Sequence, residues 1–180
     1  MKKSLKSLLL IGTVATALGL ASSADAFQRN TSRTGAFGGH RSVKAQGAPS
    51  QGYSRQVNAA GPNGASRTSS VSAGAGNGYQ RDSSATGPLG GTRSVQASGA
   101  PGQGYTRQVN ANGPDGASRT SSVSAGAGNG YQRDSSATGP LGGTRTVEAS
   151  GAPGQGYTRD VTRTAPDGAT TTRDVSIPPR

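Results

Sequence analysis

Side chains of different character alternate along short stretches of the chain. In 105–124, Tyr105, Arg107 and Val109 lie two residues apart, and the same spacing recurs from Arg119 to Val123. A period of two is typical of β-strands, in which successive side chains point to opposite faces of a sheet. The sequence therefore predicts two strands here, with Tyr, Arg and Val on one face.

The two stretches are separated by Pro114-Asp115-Gly116, in which Pro presets φ and Gly supplies a positive φ. A three-residue hairpin loop of this kind ends in Gly as a G1 bulge. Its length predicts a register with Arg107 opposite Val123 and Val109 opposite Ser121. Four further central loops have the same form: Pro62-Asn63-Gly64, Pro88-Leu89-Gly90, Pro140-Leu141-Gly142 and Pro166-Asp167-Gly168. The glycine-rich segments 126–130 and 151–156 provide return turns between hairpins.

The pattern repeats every 26 residues. An aromatic residue begins each unit, and an Arg follows two positions later. The predicted units are 27–52, 53–78, 79–104, 105–130, 131–156 and 157–180. Residues 76–101 and 128–153 differ only at Ser94/Thr146 and Gln96/Glu148, which indicates a 52-residue duplicated block. Tandem units of this length indicate a repeat architecture. The divergent first and last units are either caps of the stack or units that escaped recent duplication.

Two states are compatible with this pattern. If ordered, the repeats form an all-β structure, either an antiparallel β-hairpin meander or a β-solenoid with Tyr stacked on Tyr. Against order stands the small supply of large apolar residues: from 27 onward there are nine Val, one Ile, two Leu, two Phe and five Tyr. Such a composition also favours a low-complexity, disordered chain, because little apolar surface offsets the entropy of ordering.

The first 26 residues differ from the rest. Lys2, Lys3 and Lys6 precede an uncharged apolar run from Leu8 to Leu20, and an A-x-A site follows at 24–26. This order predicts a secretory signal peptide, helical in its apolar part and removed before Phe27. The run is short for a membrane span, and no later segment is apolar enough for one. We therefore expect export to the periplasm or the extracellular space.

Few residues of the chain are candidates for catalysis or metal binding. His40 is the only His and there is no Cys, so histidine dyads, multi-histidine metal sites and thiol chemistry are excluded. The acids are single and widely spaced along the sequence, and Gly90-Gly91 and Gly142-Gly143 do not continue into the calcium-binding GGxGxD pattern. We expect no enzyme activity, no cofactor and no metal site. In composition alone, the chain resembles glycine-rich repeat proteins exported by Gram-negative bacteria, a resemblance that implies no site residues.

The chain beyond residue 26 is basic, with sixteen Lys and Arg against seven Asp and Glu. Repeated Tyr/Phe-x-Arg on one side of a strand makes a cationic stripe that can engage polyanions such as acidic polysaccharide, lipopolysaccharide or extracellular DNA. Alternatively, Tyr and Arg stack on one another and hold the repeats together. A passive spacer or stress-related protein and a self-associating, fibre-forming matrix subunit are further alternatives. The candidate binding residues are Arg29, Arg55, Arg81, Arg107, Arg133, Arg159, Arg41, Arg67, Arg93, Arg119, Arg145, Tyr53, Tyr79, Tyr105, Tyr131 and Tyr157.

Overall fold

The structure, a computed structural model, describes residues 26–49, 51–74, 76, 78–126, 128 and 130–179. Every regular element in these residues is a β-strand. The strands are β1 (Phe27–Thr34), β2 (His40–Ala48), β3 (Gly52–Ala60), β4 (Ser66–Gly74), β5 (Gly78–Thr86), β6 (Thr92–Ala100), β7 (Gly104–Asn112), β8 (Ser118–Gly126), β9 (Gly130–Thr138), β10 (Thr144–Ala152), β11 (Gly156–Thr164) and β12 (Thr170–Ile177). The predicted signal peptide, except Ala26, lies outside the described residues, and β1 begins at the residue after it.

The twelve strands form one antiparallel sheet in which spatial order follows sequence order from β1 to β12. Each strand contacts only its neighbours in the sequence. The all-β repeat is therefore confirmed, and it is built as a meander rather than as a solenoid. The physical reason lies in the connections, because loops this short can join only antiparallel neighbours, whereas parallel strands need long crossovers.

The central loops adopt the geometry that the sequence predicts. Gly113 N–H donates to the carbonyl of Ala117 at 2.6 Å, which closes a loop of three residues. Gly116 has φ of +79°, as a G1 bulge requires. The resulting register places Arg107 opposite Val123 and Val109 opposite Ser121, so the predicted pairing is confirmed.

The register divides the molecule into two faces by residue number. In every strand pair the two opposed residues are both odd or both even, for example Tyr79 with Gly99 and Asp82 with Gln96. Because side chains alternate along a strand, all odd-numbered strand residues share one face, here called the odd face. The even-numbered strand residues form the opposite surface, called the even face.

The sheet has a single layer, and its buried core is small. Only Val95, Ala97, Val147 and Ala149 are buried among the described residues, all on the odd face of β6 and β10. Both faces are otherwise open to solvent along most of their length. The stability of the sheet therefore depends on backbone hydrogen bonds and cross-strand side-chain pairs more than on a packed interior.

Candidate functional site

The arginines are gathered on the odd face. One row crosses the odd-numbered strands and alternates with Ala or Val of the even-numbered strands, as where Arg107 lies between Ala97 and Val123. A second row, four residues further along the strands, is supplied mainly by the even-numbered strands and alternates with Ala. The odd face holds fourteen arginines, thirteen in these two rows and one, Arg173, opposite Val161: Arg29, Arg33, Arg41, Arg55, Arg67, Arg81, Arg93, Arg107, Arg119, Arg133, Arg145, Arg159, Arg163 and Arg173.

Three of these arginines, Arg33, Arg163 and Arg173, lie outside the two repeated series and are not predicted by the sequence pattern. The equivalent positions of most other units carry a different residue, so the 26-residue spacing does not identify these three arginines. Residue parity would have found them, because each has an odd number and lies within a strand. They extend the basic surface to both ends of the sheet.

No acid lies on the odd face of the described strands. The strand acids Asp82, Asp134, Glu148, Asp160 and Asp174 all have even numbers, and the remaining two, Asp115 and Asp167, lie in loops. Neighbouring strands therefore cannot supply a carboxylate to the arginine rows. Like charges gathered on one surface produce a field that attracts anions at a distance.

Arg81 and Arg133 differ from the other arginines of their row. They are half-buried, and the Nε atom of each is enclosed without a hydrogen-bond partner. Each is followed two residues later by a serine, Ser83 or Ser135, where three other units carry valine and the first carries Thr31. These two Nε–H groups are unused donors on the odd face.

An aromatic row crosses the sheet beside the first arginine row. Its members are Phe27, Tyr53, Tyr79, Tyr105, Tyr131 and Tyr157, each on an odd-numbered strand and each opposite Gly, Ala or the terminal Ile177. Strands lie about 4.8 Å apart, so residues on alternate strands are about 9.5 Å apart. The small residues between the rings leave a shallow groove.

The groove runs along the row in two adjoining stretches of about 760 and 830 Å³. Tyr105 borders both stretches, and the loop residues Pro49, Pro101 and Pro153 lie at the rim. The lining is largely apolar, whereas the arginine row two residues further along the strands is charged. A ligand lying across the strands would contact rings on one side and guanidinium groups on the other.

The rings do not stack on one another as a solenoid would require. Among the described residues one ring pair is close, Phe27 and Tyr53, with centroids 6.2 Å apart and planes tilted by 32°. Phe27 reaches Tyr53 because its ring lies over Gly47, the small residue between them. The expected alignment of aromatic residues is present, but the intervening strand separates successive rings.

The even face carries hydroxyl, amide and acidic side chains. Hydroxyls pair across strands, as in Thr68 with Ser84 at 2.7 Å and Ser98 with Thr106 at 2.8 Å. Lys44 is the one cation on this face among the described strands. The two surfaces of the sheet therefore differ in both charge sign and chemistry.

The acids of the C-terminal half meet in one row on the even face. Asp134, Glu148, Asp160 and Asp174 lie directly opposite one another on four successive strands, β9 to β12. Although these four acids are single and widely spaced along the sequence, the register brings them together on the sheet. No three His, Cys, Asp or Glu side chains of the described residues are arranged to hold a metal ion.

His40 begins β2 opposite Thr34 and Ala60 and is exposed.

In the part of the chain that the structure describes, no helix is long and apolar enough to cross a membrane. No protein-family model, curated protein or solved structure matches the sequence or the fold.

Proposed function

We propose that the chain is an exported, non-enzymatic protein of the cell envelope or extracellular matrix that binds anionic polymers through its odd face. The observation that carries the proposal is the segregation of charge, because fourteen arginines share one face from which every strand acid is absent. A surface of one charge sign extended over twelve strands matches an extended polyanion better than it matches a small ligand.

The two kinds of row give the bound polymer a direction. Both the aromatic row and the arginine rows cross the strands, so a linear chain lying along them meets a ring and a guanidinium at every second strand. The first arginine row is two residues from the aromatic row, about 7 Å along a strand. Rings provide stacking surfaces for sugars or bases, and guanidinium groups bind carboxylate, sulfate or phosphate.

Binding of this kind is weak at each position and strengthened by repetition. Most of the arginines are exposed, so a single contact with an anion contributes little in water. Many linked contacts add through effective concentration. Acidic polysaccharide, lipopolysaccharide and extracellular DNA are the polymers that an exported chain would meet.

The test compares two variants that remove the same net charge from opposite faces. Arg55→Ala/Arg107→Ala/Arg159→Ala removes three exposed arginines from the odd face. Gln28→Glu/Lys44→Gln/Gln108→Glu lowers the charge by the same amount on the even face. The measurement is the affinity for polygalacturonate and for duplex DNA as a function of salt concentration.

We expect the odd-face variant to bind several-fold more weakly and with a reduced salt dependence, by about 0.9 in the log–log slope for each phosphate of the duplex that the variant no longer neutralises. The even-face variant should keep the slope of the unmodified chain, because none of its changes touches the bound polymer. An equal loss of affinity in the two variants would mean that net charge alone governs binding, and the proposed surface would be abandoned.

A further inference from the structure

The first and last strands of the sheet each have one open edge. Within the described residues, β1 pairs only with β2 and β12 pairs only with β11. An open edge presents unpaired N–H and C=O groups that can accept another strand.

The edge strands carry only part of the usual protection against such pairing. Natural edges are blunted by charged side chains, Lys above all, and by Pro, bulges or very short strands. The charged side chains here are Arg29 and Arg33 on β1 and Arg173 and Asp174 on β12. β1 (FQRNTSRT) and β12 (TTTRDVSI) contain no Lys and no Pro, each has eight residues, and neither includes a glycine. Both edges are therefore regular enough to form a full strand pair.

The two edges also carry the residues that already pair inside the sheet. Where β4 meets β5, three opposed pairs are Ser72 with Gln80, Val71 with Arg81, and Thr68 with Ser84. The same pairs, Ser124 with Gln132, Val123 with Arg133, and Thr120 with Ser136, recur where β8 meets β9. At the corresponding positions β12 has Ser176, Val175 and Thr172, and β1 has Gln28, Arg29 and Ser32.

We propose that copies of this chain assemble end to end, with β12 of one copy pairing with β1 of the next in the register that opposes Ile177 and Phe27. This interface has the register of the β4–β5 and β8–β9 junctions and keeps those three pairs, while other pairs differ, as where Ile177 and Phe27 replace Ala73 and Tyr79. The partner that fits the open edge is thus a second copy of the same chain.

The orientation of the strands makes this assembly open-ended. In a meander of twelve strands β1 and β12 run in opposite directions, so the next copy joins antiparallel with its odd face on the same side. The interface joins two different edges, and a head-to-tail contact that does not close into a ring builds a filament. Each added copy therefore lengthens one continuous surface with the aromatic and arginine rows in line.

On both edge strands, the residues that direct N–H and C=O groups to the open edge are the ones that the proposed register opposes. Gly35 N–H donates to the carbonyl of Gly39, and Ala165 N–H donates to the carbonyl of Ala169. These bonds set the phase of the two terminal hairpins, so the odd residues of β1 are hydrogen-bonded to β2 and those of β12 to β11. Hydrogen-bonded pairs alternate along an antiparallel ladder. The even residues, Thr172 and Ser32 among them, consequently direct N–H and C=O outward on both edges.

Disulfide trapping tests the proposal, because the chain has no Cys of its own. In the proposed register Arg173 and Thr31 of successive copies form a non-hydrogen-bonded pair, whose Cα atoms lie about 4.5 Å apart, within disulfide range. In one copy the same residues lie on β12 and β1, about 50 Å apart across eleven strand spacings. Arg173→Cys/Thr31→Cys should therefore give a ladder of disulfide-linked multimers under mild oxidation.

The matched control is Arg173→Cys/Ser32→Cys, which moves one thiol to the opposite face. It should give several-fold fewer multimers than the in-register pair. Equal cross-linking of the two pairs, or only monomers for both at high concentration, would overturn the proposal.

A second pair of variants tests the edge without cysteine. Thr172→Pro removes one outward N–H and should abolish assembly in sedimentation velocity while leaving the β-type circular dichroism spectrum intact, because edge strands tolerate Pro. Thr172→Val keeps the N–H and should assemble like the unmodified chain. Assembly that persists in Thr172→Pro, with the disulfide result negative, would exclude pairing through β12.

Discussion

The most constrained residues of the sheet are the glycines that precede the aromatic row. Gly52, Gly78, Gly104, Gly130 and Gly156 each begin a strand with φ between +68° and +87°. A Cβ at any of them would collide with a backbone carbonyl oxygen of the adjoining strand, such as that of Ala125 for Gly104. These positions therefore need glycine for two reasons, the positive φ and the close approach of the next strand.

Replacing one of these glycines should cost more than replacing a glycine in a loop. Gly104→Ala meets both penalties, whereas Gly116→Ala has φ of +79° but open space around the new Cβ. The left-handed conformation costs about 1–2 kcal/mol in both variants. Collision with the carbonyl should add about 1–3 kcal/mol to Gly104→Ala. Urea unfolding of the two variants checks this, and equal midpoints would contradict the close approach.

The sequence predicts the loop glycines but not the glycines at the strand starts. Gly116 follows Pro and Asp, so local turn chemistry is sufficient to assign its positive φ. The constraint on Gly104 comes largely from Ala125, a residue of the following strand. That constraint becomes visible only when the strands are paired.

The acidic row on the even face contains three acids, Glu148, Asp160 and Asp174, that have no acidic counterpart 52 residues earlier. Gln96 on β6 faces Asp82 and Gln108. Its counterpart, Glu148 on β10, faces Asp134 and Asp160. Like charges directly opposite one another in a ladder are destabilising. The row therefore weakens the C-terminal part of the sheet relative to the equivalent part of the preceding block.

Exchanging Gln96 and Glu148 should remove like-charge pairs from one block and create one in the other. Glu148→Gln removes two like-charge pairs and should stabilise the sheet by a few tenths of a kcal/mol at low salt, since the carboxylates are exposed. Gln96→Glu creates a pair with Asp82 and should be destabilising. Thermal melts of both variants at low and high salt measure the effect, which should shrink as salt screens the charges. A gain that is independent of salt would rule out the electrostatic cause.

The sequence predicts the strands, the hairpins and the register within each hairpin. Alternation and the three-residue loops predicted the pairing of Arg107 with Val123, and the structure confirms it. The acidic row was missed because Asp134, Glu148 and Asp160 are twelve or more residues apart in sequence. Applying the predicted register to every strand would have placed them side by side.

The whole molecule behaves as a one-dimensional array. Each strand contacts only the strands before and after it, so stability is a sum over neighbouring pairs, as in other repeat proteins.

The small number of large apolar residues correctly indicates a small core, yet it does not decide between a single-layer sheet and a disordered chain. The choice of a meander over a solenoid could have been made from the loops, because both kinds of turn span three residues. The polymer bound by the odd face is not encoded in any motif, since the arginine rows supply charge and spacing alone.

The two surfaces of the sheet exist because odd and even residues are sorted onto opposite faces, and one pair of cysteine variants measures that sorting. Ser69 and Ser83 lie opposite each other on the odd face of β4 and β5, whereas Ser84 lies on the even face. We predict that Ser69→Cys/Ser83→Cys closes a disulfide within the monomer under mild oxidation and that Ser69→Cys/Ser84→Cys does not. A chain without this register would close the two loops, of nearly equal length, at nearly equal rates, and that result would contradict the two-faced sheet.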